Sequence, residues 1–153
     1  MQMNLYLKSL ESTEAFAKEM AGALKPPLIV GLRGEIGMGK TSLVRALLRS
    51  LGIQSAIKSP TFNLVETYET DLGVIHHFDL YRISSLDDLE YLGFRDYLQG
   101  PQICLVEWPE KVESLLDVMV EFYMPQDREG RTLSIKANTI LGEQMIAKLL
   151  EKT

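Results

Sequence analysis

The chain has 153 residues, 46% hydrophobic and 24% charged, enough to bury the core of one domain but seldom of two. Sixteen Lys and Arg against 21 Asp and Glu leave a net charge of −5, which excludes a protein that grips a nucleic acid backbone with its whole surface but leaves room for a local basic patch. One cysteine, Cys104, excludes an internal disulfide framework, and no apolar run is long enough to span a membrane.

In chain order, Met3 to Leu7 alternates as a strand, and Ser12 or Thr13 is placed to cap a helix that carries Phe16, Met20 and Leu24 on one face. Pro26 and Pro27 stop that helix. The apolar run Leu28 to Leu32 reads as a buried strand, and a glycine-rich loop separates it from a helix running from Lys40 to about Leu51, where Gly52 breaks it. Leu64 to Thr70 and Val74 to Tyr81 are β-rich runs joined by Asp71-Leu72-Gly73, which predicts an antiparallel hairpin and argues against a purely parallel sheet. Ser85 opens a helix with Leu86, Leu89 and Leu92, and Phe94 to Leu98 reads as a short further helical turn. Ile103 to Trp108 is a buried strand containing Cys104, whose role is core packing. Val118 to Tyr123 and Thr132 to Lys136 follow as strands, with a turn at Asp127 to Gly130, and an amphipathic helix closes the chain over Gly142 to Leu150. The expected architecture is α/β: one phosphate-loop (P-loop) NTPase domain over residues 1–153, with a mixed parallel and antiparallel central sheet flanked by helices. The amino-terminal MQMNLYLKSLES lacks the long apolar stretch of a signal peptide, so a cytoplasmic location is expected.

The loop carries the chemistry. Gly34-x-x-x-x-Gly39-Lys40-Thr41 has the residues that let a backbone wrap the phosphates of ATP or GTP, between a strand and a helix as that task requires. Gly34, Gly37 and Gly39 permit a tight turn whose N–H groups form an anion nest at the positive end of the following helix. Lys40 supplies a compact positive charge to the outer phosphates, and the Thr41 hydroxyl suits a magnesium ion bridging them. A lysine at a helix start is electrostatically unfavourable unless an anion sits there.

Acidic residues at strand ends say what happens to the nucleotide. Glu107 closes the apolar run Cys104-Leu105-Val106, where nucleotide-binding α/β proteins place the acid that orients magnesium or its water; the alternative is a surface acid at a strand terminus. Asp79, in His77-Phe78-Asp79-Leu80-Tyr81-Arg82, offers a second carboxylate with the same alternative. Thr61, in Ser59-Pro60-Thr61-Phe62, is placed as a sensor of the γ phosphate, or else belongs to an ordinary Ser-Pro turn. Trp108 is a stacking surface for a base or partner, or rim packing. Arg82 either supplies positive charge to the transition state or pairs with Asp87 and Asp88. His76 and His77 sit in a strand with no cysteine or further histidine cluster nearby, which argues against a zinc site, and His77 reads as a packing or hydrogen-bonding residue near Asp79.

The succession GEIGMGKT, KSPTF with LVETY, HHFDLYR and LVEWPE, in this order and spacing, resembles the bacterial TsaE family, also called YjeE. The likeness runs from the helix around Thr13 to the strand after Gly130, and SPTF, FDLYR and EWPE together are far more specific than the phosphate loop. The resemblance implies a compact α/β domain that hydrolyses ATP with Mg2+, slowly alone and faster with its partners TsaD and TsaB. Those partners transfer a threonylcarbamoyl group to the adenosine beside the anticodon, so tRNA is reached indirectly, with neither DNA nor membrane involved. By matching position, Lys40 contacts phosphate, Thr41 and Glu107 hold magnesium, and Asp79 and Thr61 complete the hydrolytic site. Ile36, Gly37, Met38, Gly39, Lys40, Thr41 and Ser42 form the nucleotide loop, joined by Trp108 from the EWP stretch and by Arg131 after Gly130. The family usually has aspartate, leucine and alanine where this chain has Glu35, Ile36 and Met38.

Two further readings stay open: a small-molecule kinase, for which the dispersed Arg95, Lys111, Arg128 and Arg131 make a poor lid, and a nucleotide-gated binding protein in which hydrolysis is incidental.

Overall fold

A computed structural model describes residues 1–58, 60 and 63–152; Thr61, the expected γ-phosphate sensor, lies outside the described residues. The strands are β1 (Gln2–Leu7), β2 (Leu28–Arg33), β3 (Val65–Thr70), β4 (Gly73–Asp79), β5 (Ile103–Glu107), β6 (Val118–Tyr123) and β7 (Arg131–Ala137). The α-helices are α1 (Leu10–Ala23), α2 (Lys40–Ser50), α3 (Leu86–Tyr91) and α4 (Ile140–Glu151). Two 3-10 segments, Phe94–Leu98 and Pro109–Leu115, complete the elements.

The seven strands form one sheet in the order β1-β7-β6-β2-β5-β4-β3. Strand β2 lies parallel to both β5 and β6, and β4 runs parallel to β5. The β3/β4 hairpin and the β1, β7, β6 group are antiparallel, so the sheet is mixed, as the hairpin signal required. Strand alternation sorts the core into two layers. Leu28, Val30 and Leu32 of β2, with Ile103 and Leu105 of β5 and Val118 and Val120 of β6, join the apolar faces of α1, α2 and α4. Cys104 and Val106 of β5, with Phe78 of β4 and Met119 of β6, pack on the opposite side with Leu89, Phe94, Val112 and Leu116.

Some element boundaries depart from the sequence reading. The cap of helix α1 lies three to four residues before the expected ones: Ser9 is the N-cap and its hydroxyl accepts from the Ser12 N–H at 3.3 Å. Leu10, the first residue of the helix, is exposed and so gives no core signal. Strand β5 stops at Glu107, not Trp108, because Trp108 adopts left-handed backbone (φ 56°, ψ 59°) and turns the chain into the 3-10 segment at Pro109. That conformation costs a non-glycine residue roughly 1–2 kcal/mol, and it is held where the surrounding structure over-determines it.

The topology places the site. Because β2, β5 and β4 are parallel neighbours, their carboxyl ends lie along one edge, with Leu32 opposite Glu107 and Glu107 opposite Asp79. The glycine loop leaves β2 at that same edge, so the loop and two acidic residues distant in sequence converge.

Candidate active site

The loop's glycines serve two demands. Gly37 and Gly39 have φ of +82° and +104°, the left-handed region that side chains resist. Gly34 instead leaves room for β6: a Cβ there would lie 3.0 Å from Phe122 Cβ. The turn closes with the Met38 N–H donating to the Glu35 carbonyl at 3.2 Å, and α2 begins at Lys40 with Gly39 as N-cap and no side-chain cap. The leading N–H groups of α2 and the positive end of its dipole are thus available to an anion.

Lys40 is only 5% exposed. Its Nζ donates to the Gly34 carbonyl and lies 3.5 Å from the centroid of the Trp108 ring. Burial pulls the ammonium below the usual lysine range, against the opposing pull of Glu107, Asp79, Glu110 and Glu35. A cation desolvated in this way gains from any anion delivered to it.

Glu107 is 3% exposed, a buried carboxylate and not the surface acid of the alternative reading. Both of its oxygens accept from the Thr41 hydroxyl, Oε1 at 3.1 Å and Oε2 at 3.2 Å, and Oε2 also lies 2.6 Å from His77 Nε2. Asp79 is half-buried at the end of β4, and its Oδ1 accepts from the Tyr81 N–H at 3.0 Å. Lys40, Thr41, Asp79, Glu107 and Trp108 share a cleft of about 300 Å³ with Gly37, Gly39, Ser42 and the exposed loop tip Ile36. The donor set, one hydroxyl and two carboxylates beside an anion-binding loop, fits a hard divalent cation that takes its other oxygens from phosphate and water. A smaller adjoining cavity of about 150 Å³ brings Arg82 and Tyr81 beside Asp79 and Trp108. The Tyr81 and Trp108 rings pack at 4.9 Å between centroids.

Arg131 reaches the loop from the far side. Its Nε donates to the Met38 carbonyl at 3.2 Å and its Nη2 to the Gly37 carbonyl at 3.1 Å, so it braces the loop's outer turn. A second cavity there, of about 280 Å³, is walled by Leu7, Leu10, Thr13, Met38, Phe122 and Arg131. Sequence reasoning did not single out Leu7, Ser9, Leu10, Thr13 or Phe122 for the site. Leu7 and the start of α1 arrive through the pairing of β1 with β7, which sets Leu7 against Arg131, and Phe122 arrives on β6 beside β2; no local motif announces either pairing.

The two histidines have separate partners. His76 places Nδ1 2.8 Å from the Thr67 hydroxyl and Nε2 2.6 Å from Gln102 Oε1, whereas His77 points to Glu107. Among the described residues, no group of three or more His, Cys, Asp or Glu side chains is arranged to hold a metal. Cys104 sits in the core, its thiol donating to the Tyr97 carbonyl at 3.5 Å and pushed up to about 12 by burial. A larger cavity of about 660 Å³ lies between α1 and α2, lined by Glu14, Lys18, Arg45 and Arg49, away from the acids at the strand ends.

A glycine loop between a central parallel strand and a helix, with a buried acid at the end of the neighbouring strand, defines the fold as an α/β P-loop NTPase domain with a mixed sheet. Comparison with known proteins narrows the class. The family model described as "Threonylcarbamoyl adenosine biosynthesis protein TsaE" matches residues 7–135. A Haemophilus influenzae protein named "tRNA threonylcarbamoyladenosine biosynthesis protein TsaE" is 37% identical over 150 residues, covering 93% of this chain and 94% of its own length. The protein of the same name from Aquifex aeolicus is 42% identical over 117 residues, covering 75% of this chain and 82% of its own. The crystal structure of Bacillus subtilus YdiB superposes with a TM-score of 0.80 at 27% identity, covering 99% of this chain and 96% of that one. The chain belongs to the TsaE family.

Proposed function

We propose that this protein is a Mg2+-dependent ATPase that acts with TsaD and TsaB in forming threonylcarbamoyladenosine on tRNA, binding ATP at the glycine loop and hydrolysing it. The observation that carries the reading is the convergence of Lys40, Thr41, Glu107 and Asp79 in one cleft over that loop, in a member of this family. The family's name supplies the tRNA-modification role, and the cleft supplies the chemistry.

The backbone amides at the start of α2 receive phosphate oxygens, and Lys40 turns its ammonium from the Gly34 carbonyl and the Trp108 ring toward them. Thr41 and Glu107 would hold Mg2+, which when bound would supply positive charge to neutralise the phosphates. Asp79 or Thr61 positions the attacking water. Arg131 holds the loop in its binding shape through the carbonyls of Gly37 and Met38. The cavity behind the loop, with Leu7, Leu10 and Phe122 as its apolar wall and the Thr13 hydroxyl at its edge, suits a planar base. Low activity of the isolated chain follows if a partner must order the group that positions water. Exposed Glu110, beside Trp108, marks the face expected to meet the partners.

Titration with a fluorescent ATP analogue, with and without Mg2+, tests the reading. Binding that tightens with Mg2+ and falls at least tenfold in Lys40→Ala supports it, and equal binding by both proteins would remove it.

A further inference from the structure

The sequence spends a buried position on a polar ring at His77. That side chain is fully buried on the α2 face of β4, in line with Ile75 and opposite Leu105, where strand alternation favours an apolar residue. Its Nδ1 has no hydrogen-bond partner among the described residues, and leaving such an atom unsatisfied costs roughly 1–3 kcal/mol. Among the described residues, the ring's one hydrogen bond is between Nε2 and Glu107 Oε2, at 2.6 Å. Its neighbour His76, by contrast, has both nitrogens engaged, with Thr67 and Gln102.

Glu107 in turn needs such a partner. Apart from His77, the hydrogen-bond partner of this carboxylate among the described residues is the Thr41 hydroxyl, which is shared between both oxygens at nearly equal distance and so fixes no orientation. A donor on Oε2 alone breaks the tie. With Oε2 held from within the sheet, Oε1 is the oxygen left for the cleft, and the Thr41 hydroxyl can donate its hydrogen to Glu107 while offering a lone pair elsewhere. Partners behind a metal ligand orient it, and their removal typically weakens metal affinity by about 10–100-fold.

We propose that His77 is a positioning residue: through Nε2 it fixes the Glu107 carboxylate, and through Glu107 the Thr41 hydroxyl, so that the pair is set for a divalent cation. The proposal rests on the Mg2+-dependent reading above. Its test is cation affinity, measured by Mn2+ electron paramagnetic resonance and by Mg2+ titration of a fluorescent ADP analogue, neither of which requires turnover. His77→Phe keeps an aromatic ring and removes the donor. It is expected to weaken cation affinity by about 10–100-fold while nucleotide affinity without metal stays within about twofold, a split that loosened packing would not produce. His77→Gln returns an amide donor and is expected to recover most of the loss. In a Glu107→Ala background, His77→Phe is expected to add nothing.

Wild-type cation affinity in folded His77→Phe, failure of Gln to recover the loss, or additive losses in the double variant would each overturn the proposal. Thermal unfolding establishes which variants are folded, and His77→Leu replaces Phe if the larger ring does not fit. If the wild-type protein binds nucleotide with no cation linkage, the Mg2+ reading fails first and this inference goes with it.

Discussion

Replacing Arg131 with alanine separates two roles for this residue, contact with a nucleotide and bracing of the loop proposed to bind it. The structure shows the brace: bonds of 3.2 and 3.1 Å to the carbonyls of Met38 and Gly37, the outer turn of the loop. A hydrogen bond from a charged donor contributes about 1.5–3 kcal/mol where it is well buried. Arg131 is only half-buried, so solvent screening reduces each bond to roughly 0.5–1 kcal/mol. Two bonds lost therefore cost the loop roughly 1–2 kcal/mol, a weakening of ATP affinity of about 5–30-fold. Arg131→Lys should recover less than half of that free energy, because one ammonium does not span two carbonyls as a guanidinium fork does. The assay is titration of a fluorescent ATP analogue into wild type, Arg131→Ala and Arg131→Lys at low and high salt, with thermal unfolding as a control. Bracing predicts a loss that persists at high salt, since the missing bonds are to neutral carbonyls. Affinity within twofold of wild type in Arg131→Ala, or a loss that vanishes with salt as an exposed charge contact would, refutes the reasoning.

Three further predictions concern the scaffold. Phe78→Ala should destabilise the fold by about 3–5 kcal/mol, because the ring is buried and packs edge-on against Phe94 and Tyr97 at 4.9 and 5.3 Å; a loss under 1 kcal/mol in urea unfolding would show that this side of the core repacks. Gly142→Ala, a change that gains about 1 kcal/mol in an ordinary helix interior, should destabilise here, since its Cβ would collide with the Asp117 carbonyl oxygen; a raised unfolding midpoint would contradict the packing of α4 on that turn. Cys104 has a thiol raised from 9.0 to about 12, so its contribution is intact below pH 9 and is lost as pH rises from 9 toward 12, where the unfolded chain ionises first. Wild type should therefore lose about 2–3 kcal/mol more than Cys104→Ala between pH 8 and 11, and parallel urea-unfolding curves for the two would refute it.

The parts of the site carried by adjacent residues were legible in the sequence. The glycine spacing, Lys40 and Thr41 follow from what a phosphate loop demands, and the apolar run ending at Glu107 announced an acid at a strand terminus. The hairpin turn at Asp71 to Gly73 correctly predicted a mixed sheet. What escaped the reading depends on long-range pairing. The cavity behind the loop is built by Leu7, Leu10 and Thr13 only because β1 joins the sheet beside β7, some 125 residues later in sequence. The left-handed turn at Trp108 is set by tertiary packing against Tyr81 and Lys40, since nothing in the residue type favours it. His77 was read as a packing or hydrogen-bonding residue near Asp79, and it does hydrogen-bond, but the identity of its partner, Glu107 on the neighbouring strand, is fixed by sheet order and register and was not legible. The early start of α1 at Ser9 was missed because capping by a serine looks alike at Ser9 and Ser12 until the backbone shows which one accepts the N–H.

The central claim, that this cleft hydrolyses ATP on behalf of a tRNA-modifying complex, is tested most directly by ATP turnover of the purified protein alone and with TsaD and TsaB, with Lys40→Ala as the blank. The account predicts a weak basal rate that rises sharply when both partners are present and is absent in Lys40→Ala. A rate that ignores the partners, or that Lys40→Ala retains, would contradict it.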